Sequence, residues 1–82
     1  KCMSYKSISL FNDIEDLSLR QRNRAVVMAN MSEQYCKNGK ISAKGAGLIL
    51  GYFDEIPKNE RKQLQELYEQ EMIHRGFGRK YH

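Results

Sequence analysis

The sequence predicts an all-α fold, a small three-helix domain with an extended N-terminal arm and a short basic C-terminal tail. The first observation is composition. The chain has 82 residues and one proline, with 40% hydrophobic and 29% charged residues, which suits a single globular domain. The second is that apolar residues recur at helical spacing in three stretches. The third is that two strong chain breakers, Asn38-Gly39 and Glu55-Ile56-Pro57, separate those stretches, with Gly76 as another near the end. A chain this short buries only about 60% of the surface its unfolded form exposes. Its stability must therefore come from well-packed helices or from self-association.

In the arm, residues 1–12, Ile8 and Leu10 alternate with Ser7 and Ser9 ahead of Phe11. That pattern suits an extended segment laid on the core or on a partner. The first helix starts at Asp13 or at Ser18, where Ser18-Leu19-Arg20-Gln21 has capping-box spacing, and runs to about residue 36. Arg24, Met28, Met31 and Tyr35 share one face of it as the core candidate. Ala25 to Ala29 is an unbroken apolar run that covers the whole circumference, so this helix is either central or part of a subunit contact. Asn38-Gly39 supplies a left-handed residue to end it.

Ser42 is the N-cap of the second helix, about 43–54, with Ile41 and Ala46 spaced as a hydrophobic staple. This is the most apolar segment: Leu48, Ile49, Leu50, Tyr52 and Phe53 fall within six residues. Gly47 and Gly51 lie one turn apart and would let another backbone approach. Pro57 fits the first turn of the third helix, about 57–75. Leu64, Leu67, Tyr68 and Met72 form its apolar stripe, and Glu71 and Arg75 are spaced as an i,i+4 ion pair. Gly76 reads as the residue that ends the helix, with Phe77 folding back onto Met72. Residues 76–82 form the tail.

The formal charge of +4 hides a polarised distribution. Residues 1–33 sum to +1, 34–53 to +3, 54–71 to −3 and 72–82 to +3. The plain reading of such clusters is a solvated surface; the functional readings divide by sign. Arg20, Arg22 and Arg24 on the first helix, Lys37, Lys40 and Lys44 around the first turn, and Arg79 and Lys80 in the tail are the nucleic-acid candidates. Phe77 and Tyr81 are interleaved with the tail cations as stacking groups. For a protein partner the candidates are Val26 and Met31 from the apolar excess and Glu60, Glu66 and Glu69 from the acidic third helix. The plus-and-minus surface favours protein binding and self-association over direct nucleic-acid binding.

Chemistry is sparse. Cys2, Cys36, His74 and His82 lack the paired spacing of a zinc site, and Gly45, Gly47 and Gly51 do not have phosphate-loop spacing. The expectation is no catalytic residue, no metal and no cofactor. Two cysteines make no disulfide framework, and no stretch is apolar enough to span a bilayer. Residues 1–11 are too polar for a signal peptide. A soluble cytoplasmic protein with no membrane association is expected.

The stretch from Leu17 to Met72, with its RQRNRAVVMANM helix, NGKIS turn, LILGYF helix and IPKNER segment, resembles the short helical regulators of enterobacterial temperate phages. It covers about two-thirds of the chain. Antirepressors among these regulators have no catalytic site and pull a repressor protein off DNA. The resemblance implies a non-enzymatic regulator that inhibits or remodels a protein partner, with a basic DNA-binding protein as the candidate. The alternative is a regulator that binds nucleic acid directly.

Overall fold

A computed structural model of the chain describes residues 11–77, and three helices dominate it. They are α1 (Leu17–Gln34), α2 (Ala43–Asp54) and α3 (Lys58–His74), with a two-stranded hairpin, β1 (Cys36–Lys37) and β2 (Lys40–Ile41), between α1 and α2. The fold is all-α, as the sequence predicts. Residues 1–10 of the expected arm lie outside the described residues. Phe11 and Asn12 are helical and not extended, and Phe11 packs against the core.

The first helix is capped earlier than the capping-box spacing implies. Asp16 takes extended backbone angles, and its carboxylate accepts the Leu19 N–H at 2.9 Å. A carboxylate there also complements the positive end of the helix dipole, so Ser18 is left inside the first turn. At the other end α1 stops at Gln34, and Tyr35 donates its N–H to Met31.

Asn38-Gly39 does not end the helix. Asn38 (φ 56°) and Gly39 (φ 77°) are the two central residues of the hairpin, with Cys36 paired to Ile41 and Lys37 to Lys40. Two consecutive positive φ values match the twist of antiparallel strands, and Asn-Gly adopts them at least cost. The hairpin hands directly into α2, because Ser42 N–H bonds the Tyr35 carbonyl at 2.9 Å while Ser42 Oγ caps Gly45 N–H at 3.1 Å.

At the α2–α3 corner, Pro57 is the N-cap of α3, one residue before the predicted position. Arg61 donates to the carbonyls of Ile56 (2.8 Å) and Asp54 (2.9 Å) left over at the end of α2, and its guanidinium lies over the Phe53 ring. The far end of α3 closes as read from sequence. Gly76 has φ 97°, Phe77 N–H bonds the Met72 carbonyl and Gly76 N–H bonds that of Ile73, both at 2.9 Å, the pattern of a Schellman motif.

Helix α1 is the centre. Both α2 and α3 pack on it and touch each other little. Ala25, Val27, Met28 and Met31 of α1 form the core with Ile49, Tyr52, Ile56 and Leu64. The apolar run Ala25 to Ala29 is thus covered within one chain, apart from half-buried Val26, and needs no subunit contact to account for it.

Candidate functional site

Three polar ties fix α3 along the length of α1. At its start, Glu60 Oε1 accepts from Gln21 Nε2 (2.6 Å) and Arg24 Nη1 (2.8 Å), and its Oε2 from Arg20 Nη2 (3.3 Å). Arg24, wholly buried, also donates to Asn12, and Arg20 to the Ile14 carbonyl. Burial by itself would raise the Glu60 carboxyl, but the hydrogen bond from Arg24 and the charge of Arg20 outweigh it and hold the group below its ordinary value. Midway, Tyr68 Oη meets Ser32 Oγ at 2.5 Å, and Ser32 Oγ donates to the Met28 carbonyl at 2.9 Å. At its end, Arg75 reaches Asn30 (2.8 Å), Glu33 (3.2 Å) and Glu71 (2.7 Å). The hydrogen bond it donates to Glu71 is the main reason its guanidinium is held even more firmly protonated.

Helix α2 is held separately. A Cβ at Gly45 would collide with Tyr35 Cβ and stand 3.1 Å from Ile41 Cγ1, so only glycine allows the start of α2 to lie against the end of α1. Sequence reading assigned close approach to Gly47 and Gly51 instead. Gly47 has open space around its Cβ position.

Because α3 and α2 are each anchored to α1, a trough stays open between them. It measures about 290 Å³ and is lined by Met28, Ile49, Leu50, Phe53 and Tyr68, with Gln65 and Glu69 on the α3 rim. Tyr68 also lines a second, separate depression of about 170 Å³ between α3 and the hairpin, with Ser32, Met72, Phe77, Cys36 and Ile41. Leu50 is 64% exposed, the highest exposure among the large apolar side chains described. Six large apolar side chains are exposed among the described residues, which is ordinary when they are scattered; Leu50 differs in standing on the wall of an apolar trough, where another chain can bury it.

The sequence-derived candidates separate on this geometry. Glu66 and Glu69 are exposed on α3, and Glu69 sits on the trough's rim. The Glu60 carboxylate, by contrast, is occupied within the chain by Arg20, Gln21 and Arg24. Met31 is only 7% exposed and belongs to the core. Val26 lies in a different, polar depression of about 400 Å³ between α1 and α3, with Arg22, Glu71 and His74. Of the nucleic-acid candidates, Arg24 is buried and Arg20 is ion-paired, so the three α1 arginines do not form a basic patch; Arg22 alone of them is exposed. Lys37, Lys40 and Lys44 are exposed together around the hairpin and the start of α2. Arg79 and Lys80 lie outside the described residues.

Leu50, Phe53 and Tyr68 were missed as site residues. For Leu50 and Phe53 a signal was present, since five of the six residues Leu48 to Phe53 are apolar and a helix resting on one neighbour can bury only one face.

A second polar feature lies in the core beneath. Among the described residues, Gln21 Oε1, Arg24 Nε and Tyr52 Oη are buried without a hydrogen-bond partner. Burial pushes the Tyr52 phenol up to about 12, with the Arg24 charge pulling the other way. Among the described residues no cluster of three or more His, Cys, Asp or Glu side chains is placed to hold a metal ion, and no helix is long and apolar enough to cross a membrane. No protein-family model, no curated protein and no solved structure matches this chain at a significant level.

Proposed function

We propose that this chain is a non-enzymatic regulatory protein, acting in the cytoplasm, that binds a protein partner in the α2–α3 trough and so inhibits or remodels it. The observation that carries the reading is the exposure of Leu50 on the wall of an apolar trough kept open by ties to a third helix. Burying one such leucine contributes about 1.5–3 kcal/mol, enough to make it an interface anchor. The resemblance to phage antirepressor-type regulators supplies the kind of partner, a basic DNA-binding repressor. Exposed Leu48 and Leu50 also suit self-association of the free protein.

The test is affinity purification from the native host, scored separately for protein and nucleic acid. The reading expects a co-purifying protein that is lost with Leu50→Asp and kept when Lys37, Lys40 and Lys44 are changed to alanine. Capture unaffected by Leu50→Asp removes the trough from the account.

One observation favours the alternative, direct nucleic-acid binding. Lys37 and Lys40 stand opposite each other in the hairpin, where like charges repel, and Lys44 lies in the first turn of α2, where a cation opposes the helix dipole. The fold gains nothing from these three charges, whereas a polyanion would. That reading requires a gel shift at low salt that weakens steeply as salt rises and disappears in the triple alanine variant.

A further inference from the structure

The charges around the trough specify what kind of segment it takes. Glu69 is on the α3 rim, Glu66 is exposed three residues before it, and Asp54 is exposed four residues after Leu50, on the same side of α2. Against these acids, joined by exposed Glu55, stand exposed Lys62 and, one turn before it on the same face of α3, exposed Lys58, so four acids face two lysines. The Arg61 guanidinium is committed to two backbone carbonyls and the Phe53 ring. This end of the trough is therefore acidic, while the second depression abuts the hairpin with its exposed Lys37 and Lys40.

A second depression adjoins the trough at Tyr68. Tyr68 lines both apolar compartments, and its ring position is set by the bond to Ser32. From Gln65 to Met72 the two depressions follow α3 for about 10 Å at 1.5 Å per residue. Two apolar compartments in a row along such a length match the side chains that one face of a helix presents at i, i+3, i+4 and i+7.

We infer that the trough binds an amphipathic α-helix of another protein, with its apolar face on Leu50 and Tyr68 and basic residues over Glu66 and Glu69, away from the hairpin lysines. This rests on the trough being the partner site. The helix would lie across the gap between α2 and α3 and cover the apolar surface they leave open, while its cations meet the acidic rim. An acidic helix of the same shape would meet Glu66, Glu69 and Asp54 as like charges and be rejected.

The experiment uses the full chain and three labelled peptides of about 14 residues, long enough for four helical turns. One carries leucines at i, i+3, i+4 and i+7 flanked by lysines; the second replaces the lysines with glutamates; the third scrambles the first. Fluorescence anisotropy is expected to show binding of the basic helix, with the acidic and scrambled peptides at least about tenfold weaker. Leu50→Asp should weaken the basic helix about tenfold, and Glu66→Lys with Glu69→Lys should reverse the preference between the basic and acidic peptides. All three positions are exposed, and unchanged far-ultraviolet circular dichroism checks that each variant is folded. Equal binding of basic and acidic helices, binding of the scramble as tight as that of the designed helix, or no binding by any of them overturns the inference. A host protein still lost with Leu50→Asp in those cases would leave the trough reading standing with a different kind of segment. Light scattering of the free chain separates the remaining occupant: a dimer that Leu50→Asp dissociates and that the basic helix cannot displace gives the trough to a second copy and overturns the inference.

Discussion

Glu60 is the residue on which the position of α3 depends most. It lies in the first turn of α3, where a carboxylate also favours the helix dipole, and it is the counter-charge of an arginine with no exposed surface. Removing it would leave Arg24 buried and unpaired, the costly way to break a buried pair. Glu60→Gln is expected to destabilise the protein by about 3 kcal/mol in urea unfolding, while Glu66→Gln changes it by less than about 0.5 kcal/mol. The pH dependence follows from the lowered carboxyl. Its contribution is complete above the ordinary value of 4.5 and is lost as pH falls through the lower value of the folded state. Stability of the parent chain should therefore drop below about pH 4.5, and the drop should be shallower in the Glu60→Gln variant. The pairing was not legible from sequence, where Glu60 looked like one more acid on an acidic helix and Arg24 was read both on the core face of its helix and among the nucleic-acid cations. Single-chain periodicity places residues on faces of their own helix; it does not say which faces meet.

At the scale of elements, what could be read was local. Ser42 as a cap and the Gly76-Phe77 closure depend on residues within one turn of each other, and both have the predicted hydrogen bonds. Asn38-Gly39 shows the limit of that method, because the same pair favours a helix stop and a two-residue hairpin. The winning reading depended on Cys36-Lys37 and Lys40-Ile41 pairing across it. The glycines of α2 show a second limit. Gly45 is required by a neighbour outside its own helix, whereas Gly47 meets nothing. Gly47→Ala is expected to stabilise the protein by up to about 1 kcal/mol. Gly45→Ala should destabilise it by about 1–3 kcal/mol, because the end of α1 would have to move. Thermal unfolding of the two variants side by side checks both signs, and Gly45→Ala should also widen the trough.

Over the whole molecule, the segment charges seen in sequence acquire positions. Arg75, counted with the basic tail, is tied to Asn30, Glu33 and Glu71. The −3 segment leaves Glu66, Glu69 and Asp54 exposed near the trough, while Glu60 is used internally. The apolar excess of α1 is absorbed by its central place, and that of α2 is not, so the surface available to a partner moves from Val26 and Met31 to Leu50, Phe53 and Tyr68. The most direct test places a photo-crosslinking amino acid at position 50 and, in a separate variant, at position 73, whose isoleucine is 50% exposed outside the trough. On irradiation in host cells, a discrete adduct with another protein is expected from position 50 and not from position 73. Absence of any protein adduct from position 50, or the same adduct from both positions, would contradict partner capture by the trough.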